Sequence, residues 1–508
     1  MVVNNNSGFT QSLWMDIELP EFPKVDKDQN ADVCIVGAGI VGLTCAYTLA
    51  KQGKSVIVID KGAIAGGQTA RTTAHLSWIL EPRYYELESL FGEEDAKKVA
   101  QSHAAAIDYI EKITNDEHIE CDFERLNGFL FTPLDDSKGE LDKELAAIQK
   151  TGREAKWIKK APWTAFETGP CIQVPNQAKF HILKYLAGLT KAILKYGGKI
   201  YTNAQADIFE DRSPCIVKTL EGFKITAQSV IVATCTPINN RFFMHTKQSG
   251  YRTYVIGAAI PRGSVHNGLY WDTLDPYHYV RTQKNENDPD KEWLIVGGED
   301  HKTGQNNEYD VQYHHLEEWA KFRFPMMGKV EYRWSGQVFE SIDSLAFIGR
   351  NPENKHIYIA TGDCGNGITY GTIAGILLPD LILGKDNPWK DLYEPSRKTL
   401  GAVKDFIEEN VNSLSQYKDL LTPGGMERLD ALKPGEGAIL KDGLKKIAAY
   451  RDKSGNVHAH SAFCTHLGGC LQWNQGEKSF DCPVHGARFD GCGHVLNGPA
   501  CHNLKPKT

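Results

Sequence analysis

Between Ala31 and Asp60 the hydrophobic pattern changes period twice. Val33-Cys34-Ile35-Val36 is a continuous apolar run of the length a buried strand takes, and Gly37-Ala38-Gly39-Ile40-Val41-Gly42 then opens a helix-patterned stretch to about Gln52, where Gly53 stops it. Ser55 to Ile59 is a second strand and ends at Asp60. One strand–helix–strand unit is predicted. Val230 to Thr234 reads as another buried strand, and Tyr254 to Ile260, Tyr277 to Thr282 and Trp293 to Gly297 carry sheet signals. Ile357 to Ala360 is a strand that runs through Thr361-Gly362-Asp363-Cys364-Gly365-Asn366-Gly367-Ile368-Thr369 into a helix. Leu400, Val403, Phe406, Ile407, Val411 and Leu414 recur at helical spacing, which predicts a connecting helix in 391–423 docked on what precedes it; a tethering linker is the alternative. From Gly424, short β segments alternate with Pro434-Gly435, Asp442-Gly443 and Ser454-Gly455, the pattern of a small all-β domain over 424–508.

At 508 residues the chain is too long for one core, and 41% hydrophobic with 24% charged residues is an ordinary globular composition. A net charge of −7 argues against nucleic acid as a partner. Residues 1–30 are a polar extension without a basic segment followed by an apolar run, so no export signal is expected. The longest apolar stretch, Ile373 to Leu383, is broken by Gly375, Pro379 and Asp380, so no membrane span is expected either. Twelve cysteines are scattered rather than framed, which points to a reducing cytoplasm.

The Gly37-x-Gly39-x-x-Gly42 motif stands in the full context of a dinucleotide site, with a strand before, a helix after and an acid eighteen residues past the last glycine. Gly37 makes the turn, Gly39 lets the backbone approach a pyrophosphate, and Gly42 permits close helix–strand packing. The helix N-terminus offers free N–H groups to the phosphates, and Asp60 is placed to bond a ribose hydroxyl. A second such fingerprint is lacking: Leu294-Ile295-Val296-Gly297-Gly298-Glu299 has no third glycine and no following helix, which disfavours a nicotinamide-dependent reductase.

Near the C-terminus, Cys464-Thr465-His466 precedes Cys482-Pro483-Val484-His485 by fifteen residues. Two thiolates and two imidazoles suit a [2Fe–2S] cluster with Cys464 and Cys482 on one iron and His466 and His485 on the other. A structural Cys₂His₂ zinc site is the alternative, although zinc fingers usually end in paired histidines. With Leu467-Gly468-Gly469 and Gly486-Ala487-Arg488-Phe489, this segment resembles the Rieske domain over roughly the last 85 residues. High-potential members have a second Cys in each ligand loop and Ser and Tyr hydroxyls donating to cluster sulfurs. Here Val484, Ala487 and Phe489 stand at three of those positions, which leaves Cys470 without its usual partner.

After Asp60 comes Lys61, and then a Gly- and hydroxyl-rich loop containing Gly67, Thr69, Arg71 and Thr72. This loop, the strand ending at Ala233, and the strand–loop–helix carrying Gly362, Asp363, Gly367, Ile368 and Thr369 resemble the flavin family of D-amino acid, glycine and sarcosine oxidases over about residues 10–395. The resemblance implies FAD held by all these residues. It implies an α/β Rossmann-type FAD domain in pieces at about 31–100, 175–245 and 340–390, an inserted α+β substrate domain, and the all-β Rieske domain behind them. It also implies oxidation of an amine or amino acid C–N bond, with hydride passing to the flavin and electrons leaving singly through the cluster to an external acceptor.

For the substrate, Tyr279 and Arg281 alternate onto one face of a strand and would clamp a carboxylate, as the family tends to do. His75 would lie over the flavin. Relatives that bond flavin covalently use a His where this chain has Arg71, so no covalent link is expected. Trp334-Ser335-Gly336-Gln337 and Asp343 to Gly349 resemble a family segment near the ring. The rivals are an electron-transfer reductase, a redox sensor, or a Rieske oxygenase using His314, His315, Asp310 and Glu317, a set that reads better as a helical surface. Rieske potentials span about −150 to +300 mV and rise with hydrogen bonds to the sulfurs. Missing two hydroxyl donors, this cluster is expected in the lower part of that range; a redox titration giving a midpoint above about +200 mV contradicts the reading.

Overall fold

Six strands, apolar where they are buried, form the core of the first layer. In the computed structural model, which describes residues 7–132, 138–163, 166–239, 243–305, 309–399, 401, 409–413, 415–416, 429–442 and 445–507, one sheet runs in the order Phe347–Arg350, Ile357–Thr361, Lys224–Val232, Gln29–Val36, Val56–Ile59, Lys199–Tyr201. All neighbours in it are parallel except the first pair, and a hairpin of Ala206–Glu210 and Cys215–Thr219 folds back antiparallel on Lys224–Val232. The register aligns Val36 with both Ile59 and Val232, and Val232 with Ile359, so the central strands end level. The loops that follow them therefore open on one edge, where an open parallel sheet binds its ligand.

Helices Ile40–Lys51 and Gly367–Ile382 lie against each other on this sheet. Their closeness is set by glycine: a Cβ on Gly375 would fall 2.2 Å from Thr44 Cγ2, and one on Gly371 2.8 Å from Ile40 Cγ2. The apolar stretch that came nearest to a membrane span is thus an interior helix. No helix among the described residues is long and apolar enough to cross a bilayer.

The second sheet runs Val330–Ser341, Gln248–Pro261, Lys291–Lys302, His278–Lys284, Leu269–Asp272, Glu124–Phe131, Cys171–Lys179, His75–Leu76, with Lys156–Ile158 on the side of Cys171–Lys179. Its strands are longer than their sequence signals. It also recruits His75–Leu76 and Cys171–Lys179 from stretches expected to serve, wholly or in part, the nucleotide domain. Beyond residue 429, a three-stranded sheet of Gly437–Asp442, Lys445–Arg451 and Val457–Ser461 and a four-stranded one of Gln472–Asn474, Ser479–Asp481, Arg488–Asp490 and Val495–Asn497 form the all-β unit. The three-part architecture is the one expected. Of the connecting helix, 409–413 is helical, with Glu409 bonded to Lys302 at 2.8 Å; residues 400, 402–408, 414 and 417–428, and with them Leu400, Val403, Phe406, Ile407 and Leu414, lie outside the described residues.

Charge fixes the C-terminal unit to the rest. Glu477, 3% exposed, meets Arg71 and Arg252, each at 3.2 Å, while Arg488 pairs with Asp481 at 3.1 Å. The N-terminal extension is threaded through this junction. Phe9 N donates to Glu477 at 2.9 Å, Arg488 donates to the Ser7 carbonyl at 2.7 Å, and buried Trp14 donates to the Thr72 carbonyl at 2.6 Å. The guanidiniums of Arg71, Arg252 and Arg488 hold the Glu477 carboxyl far below the usual carboxylate range, against the cost of burial. A carboxylate depressed on folding stabilises the fold above its unfolded pKa, and the gain is lost as pH falls below it. Glu477→Ala leaves buried cations uncompensated and is expected to cost about 3–5 kcal/mol, seen as a lowered midpoint in chemical or thermal unfolding, with the difference from wild type shrinking below about pH 4.

Candidate flavin and cluster sites

A single continuous cavity is bounded by the first sheet's loop edge, the second sheet and the C-terminal unit. Gly37 takes φ +111°, and a Cβ there would come within 2.3 Å of the Ala233 carbonyl. A Cβ on Gly42 would sit 1.8 Å from the Gly37 carbonyl, and one on Gly39 would meet Thr69 Oγ1 at 2.9 Å. Both of the first two glycines and Thr69 line the cavity, whereas Gly42 serves packing alone. Asp60 accepts from Ala38 N at 2.7 Å and Gly62 N at 2.8 Å, and its burial pushes its pKa up. These bonds fix the carboxylate at the tip of the second strand, on the cavity wall. The cradle sets a glycine turn before a helix N-terminus, the arrangement a dinucleotide pyrophosphate needs, with Ile40 N donating to Thr69 Oγ1 at 3.2 Å.

Gly67, Thr72, Ala233, Asp363, Gly367 and Ile368 line the same cavity. Two further expected contacts do not. Gly362 makes the turn at φ +71°, and the Thr369 hydroxyl faces away, 2.8 Å from His103 Nδ1. Arg71 lines the cavity, but its guanidinium points out of it to Ser7, Thr10, the Ser335 carbonyl and Glu477. Part of the wall was not foreseen: Val495 to Gly498, Ala500 and Cys501 of the C-terminal unit close over it. Lys61 donates to the carbonyls of Val495 at 3.1 Å and Leu496 at 2.6 Å, and Gln205 to that of Cys501 at 2.8 Å. No motif in the sequence marks these backbone contacts.

On the second-sheet side stand His75, Trp271, Tyr277, Tyr279 and Thr253, with Tyr279 and Thr253 hydroxyls 2.9 Å apart. Burial and the charge of Arg281 pull the His75 pKa down to about 3, so the imidazole is neutral at working pH. Arg281 corrects the sequence expectation. It shares a strand face with Tyr279 yet does not reach the cavity. Its guanidinium, 0% exposed, donates to the carbonyls of Ala74 at 2.7 Å and Thr73 at 3.2 Å and lies 5.4 Å from the Trp14 ring. Two residues further along the strand is simply too deep, and the N-terminal segment covers it. Asp343 is structural, bonded to Arg397 at 2.6 Å and Thr399 at 2.7 Å. His314 and His315 pair separately on an exposed helix face, with Glu318 at 3.1 Å and Glu299 at 3.2 Å.

The two cluster loops have the same backbone. Gly468 N donates to Cys464 O at 2.9 Å and Gly486 N to Cys482 O at 3.0 Å, each glycine at positive φ (+77° and +73°). Cys464 N donates to Gly469 O at 2.9 Å and Cys482 N to Ala487 O at 2.8 Å. The two thiols are buried beside each other and the His466 and His485 rings lie 5.1 Å apart at 80°. Sulfur is paired with sulfur and imidazole with imidazole, the donor set a [2Fe–2S] cluster needs.

His245, from the loop region after the central strand Lys224–Val232, packs on both imidazoles, 4.9 Å from His466 and 6.1 Å from His485. Behind it, Nδ1 is 3.4 Å from Thr236 Oγ1, which accepts from Gln248 at 3.0 Å; Thr361 donates to Gln248 Oε1 at 2.8 Å. Thr361 is cavity wall. The sequence offered no signal for His245.

A flavin cradle and a Rieske ligand set on one chain define a two-cofactor oxidoreductase. Residues 32–381 match the FAD dependent oxidoreductase family and 427–507 the Rieske [2Fe-2S] domain, so the chain belongs to the D-amino acid oxidase-type FAD oxidoreductases and carries a Rieske domain at its C-terminus. It binds FAD and a [2Fe–2S] cluster. It is 32% identical over 501 residues to a putative Rieske 2Fe-2S iron-sulfur protein, YhfW, of Bacillus subtilis, covering 96% of this chain and 95% of that one. It is 24% identical to the gamma-glutamylputrescine oxidoreductase of Escherichia coli over 72% of this chain and 86% of that one. Glycine oxidase from Geobacillus kaustophilus shares the fold with TM-score 0.60 at 18% identity, over 73% of this chain and 99% of that one. Gly42→Ala, which drives a methyl into the Gly37 carbonyl, is expected to yield protein that keeps its cluster EPR signal and loses flavin absorbance.

Proposed function

We propose that this enzyme oxidises the carbon–nitrogen bond of an amine and that its electrons leave one at a time through the C-terminal cluster to an external acceptor. One observation carries the reading: buried His245 of the flavin unit lies against both cluster imidazoles and is joined through Thr236, Gln248 and Thr361 to the flavin cavity. When bound, the flavin accepts two electrons from the substrate and can release them singly, while the cluster carries one.

The residues around the cavity prepare the substrate for that transfer. Hydride leaves an amine readily only when the nitrogen is unprotonated. His75, held neutral on the cavity wall with Nδ1 3.0 Å from the Thr73 hydroxyl, puts no positive charge beside that nitrogen. Trp271 and Tyr279 pack around His75, with ring centroids at 6.0 and 5.6 Å, and restrict water at the reacting carbon. Similarity to a gamma-glutamylputrescine oxidoreductase supports a nitrogen substrate.

Anaerobic mixing with a panel of amines and amino acids tests the proposal, with flavin absorbance and cluster EPR followed together. One compound should bleach the flavin and then raise the reduced-cluster signal. Bleaching by NADPH alone, with every nitrogen donor inert, makes it a reductase instead. His245→Phe keeps a ring in the contact and removes its polar link to Thr236. It should slow the second phase about tenfold or more and leave the first phase, read separately, as fast as in the parent.

A further inference from the structure

The second-sheet wall of the cavity is acidic where a carboxylate clamp was expected. Glu81 and Asp300 both face the cavity, and their charges raise the pKa of nearby Glu340 on top of its burial. Glu81 accepts from Tyr277 at 3.2 Å and reaches the loop that opens the Gly367–Ile382 helix: a Cβ on Gly365 would lie 2.6 Å from its Oε2. One oxygen of Asp300, Oδ1, is sealed from solvent and has no hydrogen-bond partner.

Cations balance this wall only in part. Arg83 faces Glu81, and Lys302, beside Glu340, is already bonded to Glu409 at 2.8 Å. Arg281 is spent on backbone carbonyls. Burial, with Asp275 nearby, pushes Glu81 up to about 7, and burial with the charge of Glu81 pushes Asp300 well above its ordinary value. Carboxylates left this way are costly until protonated or met by a cation. The aromatic faces of Trp271, Tyr277 and Tyr279 on the same wall suit an alkylammonium rather than a hydrated metal ion.

We propose that the substrate is a linear diamine or longer polyamine without an α-carboxylate, its distal ammonium held between Asp300 and Glu81 and its reacting nitrogen left near His75. This rests on the amine reading above and names its substrate class. A zwitterionic amino acid would bring its carboxylate against two acids, and Arg83, the guanidinium on this wall, already faces Glu81, so the wall disfavours it while selecting the dication.

The test uses the holoenzyme and three probes of similar length: a linear alkyl diamine, the corresponding monoamine and an α-amino acid. Each is titrated twice, by anaerobic flavin reduction and by perturbation of the oxidised flavin spectrum, which needs no turnover. The diamine should half-saturate at least tenfold below the monoamine, and this ratio should collapse toward one in Asp300→Asn. Glu81→Gln, near-isosteric on a different element, gives the same readout should the first variant not fold. Preference for the amino acid, an unchanged ratio in the variants, or tighter response to magnesium or calcium than to the diamine would overturn the inference. If no probe bleaches the flavin while the diamine still perturbs it in the expected ratio, the cationic site stands and the oxidation reading falls. A diamine that neither bleaches nor perturbs sinks the site itself.

Discussion

One buried carboxylate, Glu477, sits where the flavin unit, the cluster unit and the N-terminal strap converge, gripped by Arg71 and Arg252 with Arg488 close behind. Two hydrogen-bonded surfaces alone would let the small domain pivot. Desolvated charges forbid that, because any motion that parts them strands ions in a medium that cannot solvate them. The contact of three imidazole rings, His245, His466 and His485, is therefore set by a charge network that lies away from it. Arg71 shows the economy of this: it lines the flavin cavity with its backbone end and anchors the other domain with its guanidinium.

Contacts between the units also come from backbone, close to the cluster. Gln337 donates to the Gly486 carbonyl at 2.7 Å, one residue past His485, and its own strand segment borders the cavity. Gly250 and Gly486 approach so closely that a Cβ on Gly250 would be 3.3 Å from the Gly486 Cα. The cluster loop is thus held from two sides, by a side chain of the flavin unit and by a glycine–glycine contact that no larger residue would allow.

Much of this was legible in the sequence, and the reason is physical. Cys464, His466, Cys482 and His485 announce themselves because ligand type and spacing are demanded by the metal, and Gly37, Gly39 and Gly42 because steric limits leave no other residue possible. Strand–helix–strand periodicity gave the nucleotide fold for the same kind of reason. What escaped was set by tertiary contact alone. His245 and Glu477 belong to no motif, and Phe9 to Trp14 read as part of a polar extension. Arg281 misled because strand alternation fixes the face of a side chain and says nothing of its depth along the strand, which the covering Trp14 decides. The acid wall was missed because Glu81, Asp300 and Glu340 come from three separated stretches of chain.

The wall formed by Val495 to Cys501 has an implication for biogenesis. These residues follow the whole flavin unit in the chain, so its nucleotide groove lacks one wall until the C-terminal unit has docked. The dinucleotide can settle there unhindered and is then sealed by a segment that also terminates the iron-bearing module. The iron-bearing module thus supplies part of the wall around the organic cofactor, and a flavin unit without it would hold that cofactor in an open groove.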